Sequence, residues 1–494
     1  MRNLLLLILL PMSLLQAQAQ TRPATNVAQQ AFAQHATYQE PTLQHRRFKH
    51  QDIVPLLEQL HQNPMFEVQV AGKSVEQRDI YLVKAGTGKT RVMLWSQMHG
   101  DEPTATMALF DLFNFLQQSD ELNPLRQQIL ENTTLYFVPM LNPDGAQKYK
   151  RHNALEIDLN RDALRLQSPE ARLLKSLRDS LDPEFGFNLH DQSRYYTAGN
   201  GPKPATISFL APAFDQAQTV NHVRERAMRT IVGMNEALQQ LVPGHVAKYS
   251  DEFEPRAFGD NIQKWGTSVI LIESGGYPND TEKQHIRRLN FASILSALHL
   301  ISDNGYTKYD LEDYYKIPQN ERNLYDLLLR NVRYTMSGHD VLLDVGIFRE
   351  EVDAPTGKGF YHQSTVDQIG DLSVFHGYEE VDGAGLTLVA GKVYEKPFKS
   401  INELNQRRAR RLLAKGYTTV QVEALPDDPE RINPLELPLN VVSASGQVSH
   451  DLNLNSGANF ILTDQKGKLR YAILNGFVYD VRGDRPELFH GVVL

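Results

Sequence analysis

The chain lacks cysteine entirely, since none of its 494 residues carries a thiol. A disulfide framework is therefore excluded, and so is a lipid anchor on an N-terminal cysteine. Stability must then come from an ordinary hydrophobic core. A length of 494 residues exceeds the usual size of one such core, so we expect two domains.

A strong charge of one sign is also lacking. The formal net charge is −8, hydrophobic residues make up 41% of the chain and charged residues 22%. These values are typical of an ordinary globular protein. Because the sequence has no basic face, we do not expect nucleic acid as a partner.

Long hydrophobic runs are absent after the N-terminal segment. That segment, MRNLLLLILLPMSLLQAQAQ, has one arginine, an apolar run from Leu4 to Leu15 and the small residues Ala17 and Ala19. The layout is typical of a secretory signal peptide, which we place at residues 1–19. The apolar run is shorter than the roughly 20 residues that span a bilayer. We therefore expect a periplasmic or secreted bacterial protein, with no stable membrane insertion after the signal is removed.

Short apolar runs alternate with helical patterns between residues 45 and 303. This alternation predicts an α/β fold with a mixed central sheet flanked by helices. The predicted strands are DIYLVKA (79–85), RVMLWS (91–96), TLYFVPM (134–140), FGFNLH (185–190), TISFLA (206–211) and SVILIE (268–273). Between the first two runs, AGTGKT lacks the first glycine of a phosphate-binding loop, and we interpret it as a hairpin turn.

The two ends of the chain have other patterns. Residues 20–44 form a polar lead segment of low information. From residue 304, a predicted helix in ERNLYDLLLRNVRY (321–334) is followed by β-branched runs that glycines separate. This pattern predicts a smaller β-rich accessory domain over residues 304–494.

Residues that suit metal binding follow the predicted strands. His99 and Glu102 lie three residues apart between RVMLWS and a helical pattern, and His190 ends FGFNLH. Side chains at the carboxyl ends of such strands face a cleft, and a catalytic zinc usually has three protein ligands. Each residue alone also suits a helix start or a salt bridge, so only the set indicates a metal site.

Further polar residues accompany this set. Glu273 ends the apolar run SVILIE, where a buried carboxylate without a partner would be unfavourable. Asp158, Asn160 and Arg161 follow the NPDG turn at residues 142–145. A turn, a cap or a salt bridge would explain each of them singly.

Taken in chain order, HGDE (99–102), NPDG, DLNRD, His190 and the glutamate of LIESGG resemble the zinc carboxypeptidase family over about residues 45–300. The resemblance implies one zinc ion per chain and hydrolysis of C-terminal peptide bonds. By this resemblance His99, Glu102 and His190 are the zinc ligands, and Asp158 accepts a hydrogen bond from the first ligand histidine. Asn160 and Arg161 bind the terminal carboxylate of the substrate. Arg151 stabilises the oxyanion, and Glu273 is the general base.

Two positions of the family pattern stay open. The family usually has a tyrosine before the base strand, and Tyr249 does not have the expected spacing. The position that sets specificity falls near Gly259. Arg256 in the pocket would favour acidic terminal residues of the substrate, whereas Asp260 would favour basic ones.

The sequence thus predicts a secreted zinc metallocarboxypeptidase that acts on peptides. Two alternatives remain: a related zinc amidase acting on murein stem peptides or N-acyl amino acids, and a degenerate, non-catalytic peptide-binding protein. Retention of all three ligand residues and of Glu273 argues against the last, because a binding module needs no base.

Overall fold

The computed structural model describes residues 23–354, 359–425, 437–481 and 490–494. The predicted signal peptide, residues 1–19, lies outside these described residues. In the part of the chain that the structure describes, no helix is long and apolar enough to cross a membrane.

The first part of the chain folds into a layered α/β structure. Its strands are β1 (Phe66–Lys73), β2 (Asp79–Ala85), β3 (Thr90–Ser96), β4 (Thr133–Val138), β5 (Phe185–Asp191), β6 (Thr197–Ala198), β7 (Ile207–Leu210), β8 (Val246–Lys248) and β9 (Ser268–Ser274). Its helices are α1 (Pro23–Tyr38), α2 (His50–His61), α3 (Thr104–Gln117), α4 (Asn123–Asn132), α5 (Pro143–Lys148), α6 (Pro169–Leu181), α7 (His222–Gln239), α8 (Phe258–Lys264), α9 (Gln284–Ser302) and α10 (Glu312–Tyr315).

An eight-stranded sheet with the order β1-β2-β4-β3-β5-β9-β7-β8 forms the centre of this part. β4, β3, β5 and β9 run parallel to one another, and antiparallel pairs flank them. Every residue of β9 is buried, because helices cover both faces of the sheet. The predicted fold, a mixed central sheet flanked by helices, is confirmed.

The larger apolar layer of the core lies between this sheet and the helices α1, α3, α7 and α9. α9 is buried along most of its length, since it packs against the other three helices. The predicted lead segment contributes α1, whose Ala24, Ala28 and Ala31 are fully buried. These small side chains allow α1 to lie close against α9.

The hairpin interpretation of AGTGKT is wrong. β2 pairs with β1 and β4, whereas β3 pairs with β4 and β5, so the turn joins two strands that β4 separates. The buried run Val92–Leu94 explains the difference. It belongs to the interior of a parallel sheet, and two apolar runs close in sequence do not reveal that a third strand lies between them.

The remaining described residues form mostly β-structure. The elements are β10 (Asn320–Glu321), β11 (Leu324–Met336), β12 (His339–Asp353), β13 (Phe360–Gly370), β14 (His376–Asp382), β15 (Thr387–Ala390), β16 (Lys392–Ser400), α11 (Gln406–Leu413), β17 (Tyr417–Ala424), β18 (Asn440–Ser443), β19 (Phe460–Thr463), β20 (Leu469–Leu474) and β21 (Phe477–Asp480). A second eight-stranded sheet contains β11–β15 and β19–β21, and β16–β18 form a three-stranded parallel sheet. The predicted β-rich C-terminal part is confirmed.

The helix predicted over residues 321–334 is wrong, because this stretch forms most of β11. Residues 324–329 are all buried, and the strand pairs with β12, β14 and β15. A short apolar run that is buried on both faces shows neither the two-residue period of a strand nor the 3.6-residue period of a helix. Its sequence therefore does not distinguish a buried strand from a buried helix. The predicted domain limits, 45–303 and 304–494, stay a prediction.

Candidate metal centre and active site

Strand register brings two of the predicted site residues side by side. His190 on β5 is the register partner of Glu273 on β9. Ser96, the last residue of β3, is paired with Leu189 on the other side of β5. His99 follows Ser96 in the loop that leads to α3. The side chains of His99, His190 and Glu273 therefore gather at the carboxyl edge of the sheet.

Two close-packed glycines shape the loop that carries His99. A Cβ on Gly100 would lie 2.0 Å from the carbonyl carbon of Gly145, so no larger residue fits where the HGDE and NPDG loops meet. Asn142 holds the two loops together, because its Oδ1 accepts from Gly145 N at 2.9 Å and its Nδ2 donates to Met98 O at 3.2 Å. The two motifs thus form one packed unit beneath the site.

His99, Glu102 and His190 form a buried cluster whose ligand atoms lie within 4.8 Å of one another. Nδ1 of His99 lies 2.7 Å from Oε1 of Glu102, and Nδ1 of His190 lies 2.7 Å from Oε2 of the same carboxylate. The two Nδ1 atoms are 3.2 Å apart. Four electron-pair donors thus converge on one point, and two nitrogens with a carboxylate are a donor set that suits zinc.

The other ring nitrogen of His99 has a partner that orients the ring. Asp158 Oδ1 lies 3.0 Å from His99 Nε2, and Arg151 Nε donates to Asp158 Oδ2 at 3.1 Å. Arg151 Nη1 also donates to Glu102 Oε1 at 3.1 Å. A carboxylate on the second nitrogen of a histidine fixes its tautomer and directs the free Nδ1 toward a metal. Among the described residues, His190 Nε2 is buried with no hydrogen-bond partner.

The electrostatics of the cluster favour a positive charge at its centre. Burial lowers the pKa of His99, but the Glu102 and Asp158 carboxylates outweigh it and raise the pKa to about 9. Burial would raise the pKa of Glu102, but His99 and His190 outweigh it and hold that pKa well below its usual value. The negative electrostatic potential that favours a proton here also favours a divalent cation. The described residues therefore fit a zinc ion.

Glu273 lies in the same cleft as the cluster, a cavity of about 530 Å³. Burial, together with the nearby charges of Glu102 and Asp191, raises the pKa of Glu273 well above its usual value. The neighbouring Asp191 is engaged elsewhere, because it accepts from Thr104 Oγ1 at 2.5 Å and from Lys283 Nζ at 3.0 Å. Of these two buried carboxylates, Glu273 therefore suits a proton-accepting role better.

Asn160 and Arg161 lie in a short 3₁₀ turn and line the same cleft. Asn160 Oδ1 accepts from Phe258 N at 2.8 Å, which ties this turn to the start of α8. Arg161 Nε lies 3.3 Å from Glu254 Oε2, and its side chain is 38% exposed. A guanidinium that is partly exposed in a cleft is available to a carboxylate ligand.

The two residues that left specificity open occupy different places. Asp260 lines the cleft, and its Oδ1 accepts from Glu254 N at 2.9 Å. Arg256 forms an ion pair with Glu254 at 2.8 Å, its side chain is 56% exposed, and it is not among the described residues that line the cleft. Burial is the main cause that raises the pKa of Asp260 to about 7.

Two tyrosines complete the cleft wall. Tyr249 follows β8 and lines the cleft together with Tyr196, and their ring centroids are 6.2 Å apart. Burial is the main cause that raises the pKa of Tyr249, and the charge of Glu273 adds to it. Sequence reasoning left Tyr249 without a role and missed Tyr196. The only available signal for Tyr196 is its position in the loop after β5.

The zinc carboxypeptidase family model matches residues 53–185. This match confirms the resemblance for that segment, which holds the HGDE, NPDG and DLNRD motifs. His190 and Glu273 lie beyond the matched residues. That family is zinc-dependent, and the cluster described above is the place where this chain offers ligands.

Several proteins that are similar to part of this chain are carboxypeptidases. Carboxypeptidase SOL1 of Arabidopsis thaliana is 33% identical over 144 residues, which are 24% of this chain and 29% of that protein. Carboxypeptidase 2 of Trichophyton rubrum is 30% identical over 192 residues, 38% of this chain and 31% of that protein. The matches thus span about a third or less of the relatives' own length.

Among solved structures, a metallo-carboxypeptidase from Burkholderia cenocepacia is similar to part of the chain. Its TM-score is 0.42 at 18% identity, and the match covers 52% of this chain and 70% of that one. Bovine thrombin-activatable fibrinolysis inhibitor matches with a TM-score of 0.44 at 15% identity over 55% of this chain and 99% of that one.

Proposed function

We propose that the protein is a zinc metallocarboxypeptidase that removes the C-terminal residue of peptides. One observation carries the proposal: the His99–Glu102–His190 cluster and Glu273 share a single cleft with Asn160 and Arg161. A metal site, a buried base and a cationic fork for a carboxylate are the components that such a reaction needs. The signal-peptide pattern of residues 1–19 supports the further proposal that the protein is exported.

His99, Glu102 and His190 would hold the zinc ion. Zinc bound there would supply Lewis acidity, which lowers the pKa of a water molecule toward neutral pH. Glu273 accepts the proton of the attacking water and later donates it to the leaving amine.

Arg151 and Arg161 supply positive charge at two points of the cleft. Arg151 lies against Glu102 and Asp158, beside the metal cluster, where it stabilises the oxyanion that develops on the scissile carbonyl. Arg161 and Asn160 bind the terminal carboxylate of the peptide and place its last peptide bond over the cluster. The reaction is then confined to C-terminal residues.

Acidic side chains in the cleft favour a basic terminal residue. Asp260, Glu252 and Glu254 all line the cleft, whereas Arg256 is exposed and paired. When Asp260 is ionised, a lysine or arginine side chain of the substrate gains an ion pair that a neutral side chain lacks. We therefore propose terminal lysine or arginine as the preferred substrate residue.

The direct test is turnover of a matched peptide panel by the zinc-loaded protein. N-acyl peptides ending in lysine, arginine, phenylalanine or glutamate are compared, each as the free acid and as the amide, and the panel also contains N-acyl amino acids and a murein stem peptide. We expect release of the terminal residue from the free acids, with the highest kcat/KM for lysine or arginine. Internal cleavage, or cleavage of only N-acyl amino acids or murein stem peptides, would instead support the zinc-amidase alternative. No turnover with zinc bound would support a binding protein.

A further inference from the structure

We infer that the C-terminal β-structure holds one wall of the catalytic cleft in place, with Asp326 as the positioning residue. The inference concerns residues 192–198, which follow the strand of His190, and it rests on the proposed function for its kinetic part. Asp326 lies on β11 and touches no residue of the metal cluster. It acts through the residues that it binds.

Some side chains of the segment 192–198 face the catalytic cleft, and others face the C-terminal β-structure. Gln192, Ser193 and Tyr196 line the catalytic cleft. Between them, Arg194 and Tyr195 contact the C-terminal β-structure. Gln192 is held by Ser274 O and Ala205 O, so the position of Ser193 and Tyr196 depends most on how firmly Arg194 and Tyr195 are held.

Asp326 binds both of these residues. Its Oδ1 lies 2.6 Å from Arg194 Nη2, and its Oδ2 accepts from the Tyr195 hydroxyl at 2.8 Å. The same Oδ2 accepts from Arg349 N at 2.6 Å, which fixes the carboxylate against β12. The side chain of Asp326 is only 4% exposed. Hydrogen bonds to an ionised carboxylate are among the stronger ones in proteins.

The backbone of the segment is held by the same part of the chain. Leu324 N donates to Tyr195 O at 3.2 Å, and the Tyr378 hydroxyl donates to Arg194 O at 2.7 Å. The ring of Tyr195 packs on Phe348, with the ring centroids 4.2 Å apart. Arg194 and Tyr195 are therefore fixed by both their side chains and their carbonyl groups.

The contact extends to the loop that follows Glu273. A Cβ on Gly276 would lie 2.1 Å from the Tyr378 hydroxyl and 2.7 Å from Cβ of Arg194. The exit of the base strand thus passes directly against the clamped segment, and only glycine fits there without displacing either neighbour. Movement of the segment would disturb the substrate wall first, because the base itself lies within the sheet.

Asp326→Asn tests this role in the zinc-loaded, full-length protein. The asparagine side chain has the same shape but no charge. Its Nδ2 group cannot accept a hydrogen bond, so the contacts of one of the two carboxylate oxygens, either with Arg194 or with Tyr195 and Arg349, are lost. We expect amide hydrogen exchange of residues 192–198 to accelerate about tenfold or more. KM for the peptide should rise about tenfold, kcat should change less than about threefold, and the zinc content should stay equal to wild type.

Two further variants separate positioning from general damage. Tyr195→Phe removes only the hydroxyl that donates to Asp326, and we expect a smaller change in the same direction. Glu351→Gln is the matched control, since Glu351 on β12 pairs with Arg46 and Arg47 elsewhere in the first part of the chain. It should leave the exchange of residues 192–198 and KM unchanged.

Unchanged exchange of residues 192–198 in Asp326→Asn would overturn the inference, as would equal effects of Asp326→Asn and Glu351→Gln. A large fall in kcat without a change in KM would also contradict it. If the wild-type protein cleaves no peptide, the proposed function fails, whereas the exchange measurement still decides whether Asp326 positions the segment.

Discussion

His190 and Glu273 are register partners on the adjacent parallel strands β5 and β9. Both strands are buried in the middle of the sheet. The sheet therefore fixes the distance between the backbone positions of His190 and Glu273. The proposed metal ligand and the proposed base therefore share one rigid support. Loops supply the other groups of the cleft, including His99, Asn160 and Arg161.

Removal of one ligand should abolish zinc binding. His190→Ala leaves His99 and Glu102 as the only cluster members, and two ligands hold a catalytic zinc poorly. We expect about one zinc per wild-type chain by elemental analysis and little in the variant. Full zinc occupancy in His190→Ala would show that His190 is not a ligand. Circular dichroism serves as the folding control.

Asp158→Asn should weaken zinc binding without abolishing it. Asp158 Oδ1 lies 3.0 Å from His99 Nε2, and loss of such a partner typically reduces metal affinity by about 10–100-fold. Competition with a chelator measures the affinity of both proteins. Asp162→Asn is a nearby comparison, because Asp162 bonds to Gln167 and Ser168 rather than to the cluster. An unchanged affinity in Asp158→Asn would contradict the assigned role.

Glu273→Gln should reduce turnover and retain zinc. The amide has the same shape but cannot accept the proton, so we expect kcat to fall by about 10²–10⁴-fold. Steady-state kinetics and elemental analysis on the same sample test both parts. Near-normal turnover would transfer the role of base to another carboxylate, and Asp191 would be the first to test.

Recognition of the terminal carboxylate can be tested with substrate and protein changed together. Amidation of a good peptide substrate should lower kcat/KM strongly, and Arg161→Ala should reproduce most of that loss on the free acid. On the amidated peptide, Arg161→Ala should lower kcat/KM little further, because both changes remove the same interaction. Equal cleavage of the free and amidated peptides by wild type would exclude carboxylate-directed action.

Asp260 should make the preference for basic residues depend on pH. Burial is the main cause that raises its pKa to about 7, while hydrogen bonds from the backbone N–H groups of Glu254 and Asp260 oppose the rise. Asp260 is therefore mostly protonated below pH 7 and ionised above it. We expect the ratio of kcat/KM for terminal lysine over terminal phenylalanine to rise between pH 6 and pH 8. In Asp260→Asn this ratio should be low and independent of pH.

The same pKa predicts a stability change that needs no substrate. A carboxyl group whose folded-state pKa exceeds its unfolded value stabilises the protein at low pH, and this contribution is lost as pH rises through the folded pKa. Asp260→Asn should therefore gain stability relative to wild type between pH 4 and pH 8, by up to about 4 kcal/mol. Urea unfolding at the two pH values measures the gain. A difference that is independent of pH would show that Asp260 titrates normally.

Much of the first sheet could be predicted from the sequence alone. DIYLVKA, RVMLWS and SVILIE correspond to β2, β3 and β9 within about a residue, because uninterrupted apolar runs between helical patterns are typical of a sheet covered on both faces. The ordered motifs also identified a resemblance over about residues 45–300, of which the family match confirms residues 53–185. These patterns are local in sequence, so they can be recognised without knowledge of the fold.

Other features depended on tertiary contacts. The apolar run of β11 was predicted as a helix, since only its partners β12 and β14 show that it is a strand. Likewise, only the packed cleft shows that Asp260 enters it while Arg256 is exposed.

The sequence by itself determined which residue types were available and in what order: two histidines and two glutamates at or just after apolar strands, and Asp158 and the arginines after the NPDG turn. Tertiary structure alone decided that His190 meets Glu273 across a strand pair, and that Asp326 reaches Arg194 from a distant part of the chain. The physical reason is that strand order and register arise from burial summed over the whole core, whereas local patterns record only which faces of each segment are apolar.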